Sequence, residues 1–262
     1  MKTRIISAII AAVIAIPLIW LGGYFFAAFA CVLAALAYKE MIDLKEYHKK
    51  FPLLMAFLGF LAMIVIVLSN NTDASIYKGI TYQTLTMTIL FLLLPTIFYK
   101  KDKYSTKDAF YLIGVVLLLG IVFNTFIILR NRSLYLFLYL LIIPMVADIF
   151  AMLGGKYFGS NKMCPKLSPH KTWEGSICGL IGGTIVGIIF YVIFLGSFNL
   201  RTVIITILLS IIGQMGDLVM SKIKRENDIK DFSNIMPGHG GILDRLDSVI
   251  FVFITYMFLL II

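Results

Sequence analysis

Charged side chains are scarce in this sequence of 262 residues. Asp, Glu, Lys and Arg make up only 14% of it, whereas about 25% is usual for soluble domains. Hydrophobic residues make up 60%, and the mean hydropathy is +0.96. So little polar surface cannot cover a water-soluble globule of this size. The composition therefore excludes a soluble protein and predicts one that lies in a lipid bilayer.

Cysteine is also rare. The three cysteines are Cys31, Cys164 and Cys178, which form no CxxC pair and are odd in number. A disulfide framework needs paired cysteines, and a structural zinc site needs closely spaced ligands. The sequence therefore indicates neither.

The motifs of several common enzyme classes are missing. The sequence contains no GxxxxGK(S/T), no GxGxxG after a strand, no HExxH and no GxSxG. These patterns mark P-loop, dinucleotide-binding, zinc-protease and serine-hydrolase sites. None of these four chemistries is supported.

The N-terminus resembles a secretory signal peptide but is too long to be one. Its apolar run continues past Cys31 through VLAALAY. The apolar core of a signal peptide spans only about 7 to 15 residues. We therefore expect membrane helices here.

Long apolar runs dominate the rest of the chain. Charged clusters separate nine of them, each near the roughly 20 residues that a helix needs to cross hydrocarbon. They cover residues 5–20, 24–38, 51–68, 80–98, 109–129, 134–153, 175–195, 202–220 and 242–262. The sequence predicts an all-α, polytopic membrane protein with about nine transmembrane helices and a single domain, 1–262.

The distribution of positive charge tests this topology. With a cytoplasmic N-terminus, nine helices place all of the 23 Lys and Arg residues on the cytoplasmic side except Lys78, Arg130, Arg132 and Arg201. The positive-inside rule predicts such an asymmetry. The net charge of +9 then reflects topology and attraction to anionic lipid, and no nucleic-acid partner is needed. We expect a multi-pass protein of the cell inner (plasma) membrane, with its functional loops, 154–174 and 221–247, facing the cytoplasm.

A polar stripe marks the eighth segment. Gln214, Asp217, Ser221 and Lys224 step by three or four residues, which places them on one helical face. A carboxylate at the bilayer centre costs about 2.5 to 3.5 kcal/mol, so Asp217 needs a compensating cation even near the membrane boundary. That cation is either a lysine, from Lys224 or another loop lysine, or a metal ion or substrate site.

Two further acids stand at the start of the last segment. Asp244 and Asp247 are three residues apart, after Gly238, Gly240 and Gly241. Carboxylates at a helix N-terminus can simply stabilise the helix dipole. With Asp217 they also form the hard oxygen environment that Mg²⁺ prefers. Asp148, in the sixth segment, is a further intramembrane carboxylate and a candidate site residue.

Many cations accompany these acids. They are Lys224, Arg225, Lys230 and Arg245 in one loop, and Lys162, Lys166 and Lys171 in the other. A run of charge is often only a solvated, positive-inside loop. Cations, glycines and carboxylates together also suit a nucleoside triphosphate with its metal.

Two blocks of this sequence resemble those of a known enzyme family. Residues 221–247, called the signature segment below, are similar to the C-terminal signature of the phosphatidate cytidylyltransferases, or CDP-diacylglycerol synthases. The matching positions are Ser221, Lys224, Arg225, Lys230, Asp231, Ser233, Pro237, His239, Gly240, Gly241, Asp244, Arg245 and Asp247. A second block resembles that family's SPxK(S/T)xEG region at Asp148, Gly155, Lys156, Lys166, Leu167, Ser168, Pro169, Lys171, Thr172 and Glu174.

The resemblance implies an enzyme that converts CTP and phosphatidic acid to CDP-diacylglycerol and pyrophosphate. It implies one or two Mg²⁺ ions, with a monovalent cation possible, and Asp217, Asp244 and Asp247 as metal ligands. The implied catalytic residues are Asp217, Ser221, Lys224, Arg225, Lys230, Asp231, His239, Asp244, Arg245 and Asp247. The implied substrate-binding residues are Asp148, Lys166, Ser168, Lys171, Thr172, Glu174, Gly240 and Gly241. His239 either contacts phosphate or serves the glycine turn.

Two other functions stay open. A CTP-dependent polyprenol or phytol kinase shares the membrane, the nucleotide and Mg²⁺, but it releases CDP. A transporter or channel explains the intramembrane acids as ion ligands, but it leaves the signature segment unexplained. Gly175, Gly179, Gly183 and Gly187 form a small-residue stripe that predicts close helix packing, either within the chain or in a homodimer.

Overall fold

The computed structural model describes residues 2–46, 51–69, 82–165, 167–238 and 240–260. Nine α-helices lie in these ranges, one for each predicted apolar run. They are α1 (Lys2–Leu21), α2 (Gly23–Glu46), α3 (Leu53–Leu68), α4 (Tyr82–Leu93), α5 (Thr106–Arg132), α6 (Leu134–Phe158), α7 (Trp173–Phe194), α8 (Leu200–Glu226) and α9 (Leu243–Leu259). The prediction of an all-α fold is confirmed.

Helix length and composition agree with a membrane setting. Five helices, namely α2 and α5 to α8, are long and apolar enough to span a bilayer, and α1, α3 and α4 are shorter apolar helices. Large apolar side chains on several of them are exposed, including Val13, Phe57 and Phe91. Exposed apolar surface of this extent suits contact with lipid. The protein is a multi-pass membrane protein.

Three helices continue by five or more residues past the C-terminal ends of their apolar runs. The helix α2 continues through Met41, Ile42 and Leu44, and burial of these three side chains stabilises the additional turns. Likewise α6 reaches Phe158 and α8 reaches Glu226. Parts of both predicted loops are therefore helical, because hydropathy marks the edge of the hydrocarbon and not the end of a helix.

The break between α1 and α2 falls where the glycines predict it. Gly22 and Gly23 have φ angles of +65° and +53°, in the left-handed region that favours glycine. The Arg130 guanidinium donates to the carbonyls of Ile19 and Trp20 at the end of α1. These carbonyls lack helical partners, so Arg130 satisfies them.

The predicted loop 154–174 contains a small β-hairpin, which an all-α description omits. Strands β1 (Lys162–Cys164) and β2 (Ser168–Thr172) pair antiparallel, with Lys162 opposite Thr172 and Cys164 opposite Ser168. Such short strands leave no alternating pattern long enough to recognise. The Thr172 hydroxyl then accepts from the Gly175 amide at 3.2 Å and caps α7, so the hairpin leads directly into the helix.

The chain separates into two compact units. The first contains residues 1–132 and 232–243, and the second contains residues 133–231 and 244–262. In the first, α5 supplies much of the core through buried Leu112, Val116 and Phe123. Asn124 on α5 donates to the carbonyls of Val67 and Ser69 at 3.1 and 2.7 Å, which fixes the end of α3. The assignment of the whole chain to one catalytic domain stays a prediction.

In the second unit, the glycine stripe packs α7 against α6. A Cβ atom on Gly179 would lie 2.6 Å from the Ala147 carbonyl oxygen and 2.9 Å from Ala151 Cβ. The opposite face of α7 carries Ile177, Ile181 and Ile185, each 52% to 55% exposed. The stripe therefore serves packing within the chain, one of its two predicted uses. The predicted homodimer stays a prediction.

This packing predicts a contrast between two helix-interior glycines. Gly179→Ala is expected to lower thermal stability in detergent, because overpacking typically costs about 1 to 3 kcal/mol. The control is Gly114→Ala in α5, where a new Cβ meets nothing within 4 Å. It should leave stability unchanged or raise it by about 0.5 to 1 kcal/mol, since alanine favours a helix. Equal melting temperatures for both variants would contradict the close approach of α6 and α7.

Candidate active site

Three carboxylates from different helices approach one another in the second unit. They are Asp148 on α6, Asp217 on α8 and Asp247 on α9, called the acidic cluster below. Asp148 interacts electrostatically with Asp217, and Asp247 interacts with both. Ser248, the neighbour of Asp247, donates a hydrogen bond to the Asp148 carboxylate. Acids that are far apart in sequence therefore converge, as the two sequence blocks suggest.

A lysine from the hairpin compensates Asp217. Lys171 on β2 forms an ion pair with the Asp217 carboxylate, and the two side chains are 30% and 21% exposed. Ser221, one turn further along α8, donates to Asp217 Oδ1 at 3.3 Å. Lys171 also acts electrostatically on Asp148. Of the cations that the sequence left open for Asp217, the structure pairs it with a loop lysine other than Lys224.

A second ion pair is more deeply buried. Lys224 Nζ lies 2.7 Å from Asp244 Oδ1, and their side chains are only 11% and 5% exposed. Lys224 also acts electrostatically on Asp247. Burial removes both ions from water, so each needs the other to offset the desolvation cost. Asp244 therefore stands as the partner of Lys224, and its predicted role as a metal ligand is not tested by this arrangement.

The donor chemistry suits Mg²⁺. Among the residues that the structure describes, no group of three or more His, Cys, Asp or Glu side chains is spaced to hold a metal by itself. Magnesium, however, usually binds through one or two carboxylates together with water and substrate phosphates. The hard oxygen donors of the acidic cluster meet that requirement, and they retain partial exposure. The metal assignment to Asp217, Asp244 and Asp247 stays a prediction.

Other predicted residues have structural contacts. Arg225 Nη1 donates to the Ile229 carbonyl at 2.8 Å, and its Nε donates to the Leu167 carbonyl at 3.4 Å. Glu174 accepts from the backbone and side-chain nitrogens of Asn161, which fastens the start of the hairpin to α7. These contacts hold the hairpin that carries Lys171.

The remaining predicted residues are spread between exposed positions and the other unit. Lys230, Asp231 and Arg245 are exposed, and Ser168 is partly exposed on β2. Gly240 and Gly241 belong to the first unit, where Gly240 has a φ of +83° and pairs with Met236. Lys166 and His239 lie outside the described residues.

Sequence reasoning missed two polar residues. Ser248 contacts Asp148, although nothing in the sequence singles out one serine beside Asp247. Glu40 is buried and accepts from Ser233 and from two backbone amides of the signature segment. Glu40 lies beyond residue 38, where the second predicted apolar run ends. The apolar residues Met41, Ile42 and Leu44 among the charged residues that follow are the signal that could have extended α2 past Glu40.

Comparison with known proteins identifies the family of this chain. The sequence model of the cytidylyltransferase family matches residues 2–262. The chain belongs to the cytidylyltransferase family. It is 37% identical over 255 residues to a phosphatidate cytidylyltransferase of Staphylococcus haemolyticus (strain JCSC1435), and 35% identical over 255 residues to one of Staphylococcus aureus (strain COL). Each alignment covers 96% of both chains.

Family membership confirms the resemblance seen in the sequence. As a cytidylyltransferase, the chain is a nucleotidyltransferase enzyme, and it is one that resides in a membrane. Cytidylyltransferases must neutralise a triphosphate while one phosphorus atom is attacked. Lysine ammonium groups, or a cation held by carboxylates, can supply that neutralisation.

Proposed function

We propose that this protein transfers the cytidylyl group of CTP to phosphatidic acid, which gives CDP-diacylglycerol and pyrophosphate. The observation that carries the proposal is the acidic cluster with Lys171 and Lys224, within a chain of apolar helices. Relatives at 34% to 37% identity bear the name of this activity. The two proposed substrates would come from two phases, because CTP is dissolved in water and phosphatidic acid lies in the bilayer.

The proposed chemistry needs no strong general base. An anionic oxygen of the lipid phosphate attacks the α-phosphorus of CTP and forms a new P–O bond. The bond between that phosphorus and the bridging oxygen breaks, and its electron pair leaves with pyrophosphate. The attacking oxygen is already deprotonated near neutral pH. Catalysis therefore consists of positioning and of neutralising charge.

Two lysines are proposed to supply part of that charge neutralisation. Lys171 forms an ion pair with Asp217, and Lys224 forms one with Asp244. Lys171 pairs with Asp217 and Lys224 acts electrostatically on Asp247, which supports a role for their ammonium groups in binding triphosphate oxygens and the leaving pyrophosphate. Arg225, Lys230 and Arg245 are further phosphate-binding candidates. Arg225 combines a fixed backbone contact with an exposed side chain.

The acidic cluster would hold Mg²⁺, with Asp217 and Asp247 as ligands and Asp148 beside them. When bound, the metal would neutralise charge on the phosphate oxygens and make the α-phosphorus more electrophilic. Asp244, whose Oδ1 accepts from Lys224, is a further proposed ligand. A monovalent cation is a further part of the proposal.

The proposed orientation places this site towards the cytoplasm of a bacterial plasma membrane. Cytosolic CTP can then reach it directly, while phosphatidic acid remains in the bilayer. The distribution of Lys and Arg supports this orientation, because nearly all of them fall on one side of the nine-helix topology. The named relatives are staphylococcal, which supports a plasma-membrane location.

The proposal predicts the products of one reaction. Purified protein in detergent, given labelled CTP, phosphatidic acid and Mg²⁺, is expected to form CDP-diacylglycerol and pyrophosphate in equal amounts. Omitting phosphatidic acid should stop pyrophosphate release. Release of CDP, with transfer of the terminal phosphoryl group to a lipid alcohol, would instead establish the kinase alternative.

A further inference from the structure

Glu40 is a buried acid outside the acidic cluster. It lies in α2, in the first unit, and only 1% of its surface is exposed. Its Oε1 accepts from Ser233 Oγ at 2.6 Å and from the Ile242 amide at 2.8 Å, while Oε2 accepts from the Leu243 amide at 2.9 Å. All three donors belong to the signature segment.

These contacts suit a carboxylate and few other groups. A buried polar group is costly unless it is hydrogen-bonded, and a carboxylate can only accept. Ile242 and Leu243 present N–H groups at the start of α9, where helical amides have no partner within the helix. Glu40 satisfies them from a position 203 residues away in the chain.

Gly241 makes room for this carboxylate. A Cβ atom at position 241 would overlap Glu40 Oε1 and lie 2.7 Å from its Cδ. A side chain there would displace Glu40 from the amides. One glycine of the signature segment is thereby explained by contact with Glu40, in addition to its predicted role in substrate binding.

We propose that Glu40 is a positioning residue for cytidylyl transfer. It fixes the start of α9, and α9 then carries Asp244 and Asp247 one and four residues beyond Leu243. A helix is stiff over this length, so the direction of its first turn sets the direction of both carboxylates. The inference rests on the proposed function, and it adds a residue that lies outside both recognised sequence blocks.

The test compares Glu40→Gln with wild type. The substitution keeps the size of the side chain but replaces one acceptor oxygen with an NH₂ donor, which faces another donor. We expect faster amide hydrogen exchange in peptides covering residues 233–243. We also expect kcat to fall roughly 10- to 100-fold, as for a small misplacement of reacting groups, together with a higher Mg²⁺ concentration for half-maximal activity.

Asn124→Ala is the matched control. It also removes side-chain hydrogen bonds of a buried polar residue in the first unit, at 3.1 and 2.7 Å. It should lower thermal stability without changing exchange at residues 233–243 or the Mg²⁺ dependence. Ser233→Ala, which removes only one of the three bonds, should change exchange and kinetics in the same direction as Glu40→Gln, but less.

The other possible results of these experiments also decide whether Glu40 is a positioning residue. If Glu40→Gln lowers only the amount of folded protein, with wild-type exchange and Mg²⁺ dependence, its role is merely structural and the inference is overturned. If Glu40→Gln cannot be purified folded, Ser233→Ala decides, and wild-type behaviour overturns the inference. A wild-type protein that releases no pyrophosphate overturns the proposed function and the inference with it, whereas an active wild type beside an unaltered Glu40→Gln overturns the inference alone.

Discussion

Asp217→Asn is expected to reduce cytidylyl transfer by at least about 100- to 1,000-fold, the usual effect of removing one group that stabilises charge in a transition state. Asp217 pairs with Lys171, accepts from Ser221, and interacts with both other acids of the acidic cluster. Asparagine keeps the shape but removes the charge that metal binding and lysine placement require. The rate of pyrophosphate release, measured across a Mg²⁺ titration, checks this expectation.

A control variant removes a carboxylate charge elsewhere on the same helix, outside the acidic cluster. Glu226→Gln makes the same kind of change at the end of α8, where Glu226 forms an exposed pair with Lys222 and both side chains are 62% exposed. Turnover should be unchanged. Wild-type turnover in Asp217→Asn would remove Asp217 from the site.

A double variant separates two roles of Asp217. If Asp217 only neutralises Lys171, then Lys171→Met in the Asp217→Asn background should restore turnover, because the ammonium group that lost its partner is removed as well. If both residues contact metal or phosphate, the double variant should be at least as inactive as either single variant. The coupling between the two substitutions measures the interaction directly.

The sequence predicted the membrane architecture well because the physical requirement is local. A helix needs about 20 apolar residues to cross hydrocarbon, and each apolar run became one helix. The helix ends were harder. Residues 39–46 carry charge, yet they remain helical because Met41 and Ile42 find buried positions, and that depends on the tertiary packing.

The sequence predicted which residues belong to the candidate site, but it did not predict which side chains pair with one another. Helical spacing placed Asp217 and Ser221 on one face, and the structure joins them by a hydrogen bond. Spacing could not decide between Lys171 and Lys224 as the partner of Asp217, because β2 reaches α8 only through the folded hairpin. The contacts of Glu40 left no signal in the sequence, since two of its donors are backbone amides that any residue supplies.

The buried pair of Lys224 and Asp244 gives the largest expected effect on stability. Lys224→Met removes the Lys224 ammonium group from the Asp244 carboxylate, which is only 5% exposed. Breaking a buried ion pair from one side typically costs about 3 to 5 kcal/mol. Lys222→Met, two residues earlier on α8, disrupts only an exposed pair with an N–O distance of 3.7 Å and should cost less than about 1 kcal/mol. Thermal unfolding of both variants in one detergent checks the contrast.

Removing both members of the buried pair distinguishes structure from catalysis. Lys224→Met combined with Asp244→Leu fills the same space with apolar groups, and such replacements of buried ion pairs are often neutral or stabilising. Thermal stability should therefore recover towards that of wild type. Pyrophosphate release should not recover, because the proposed phosphate-binding ammonium and a proposed metal ligand are both gone. A stable double variant with wild-type turnover would show that the pair only supports the fold, and the site would then consist of the acidic cluster with Lys171.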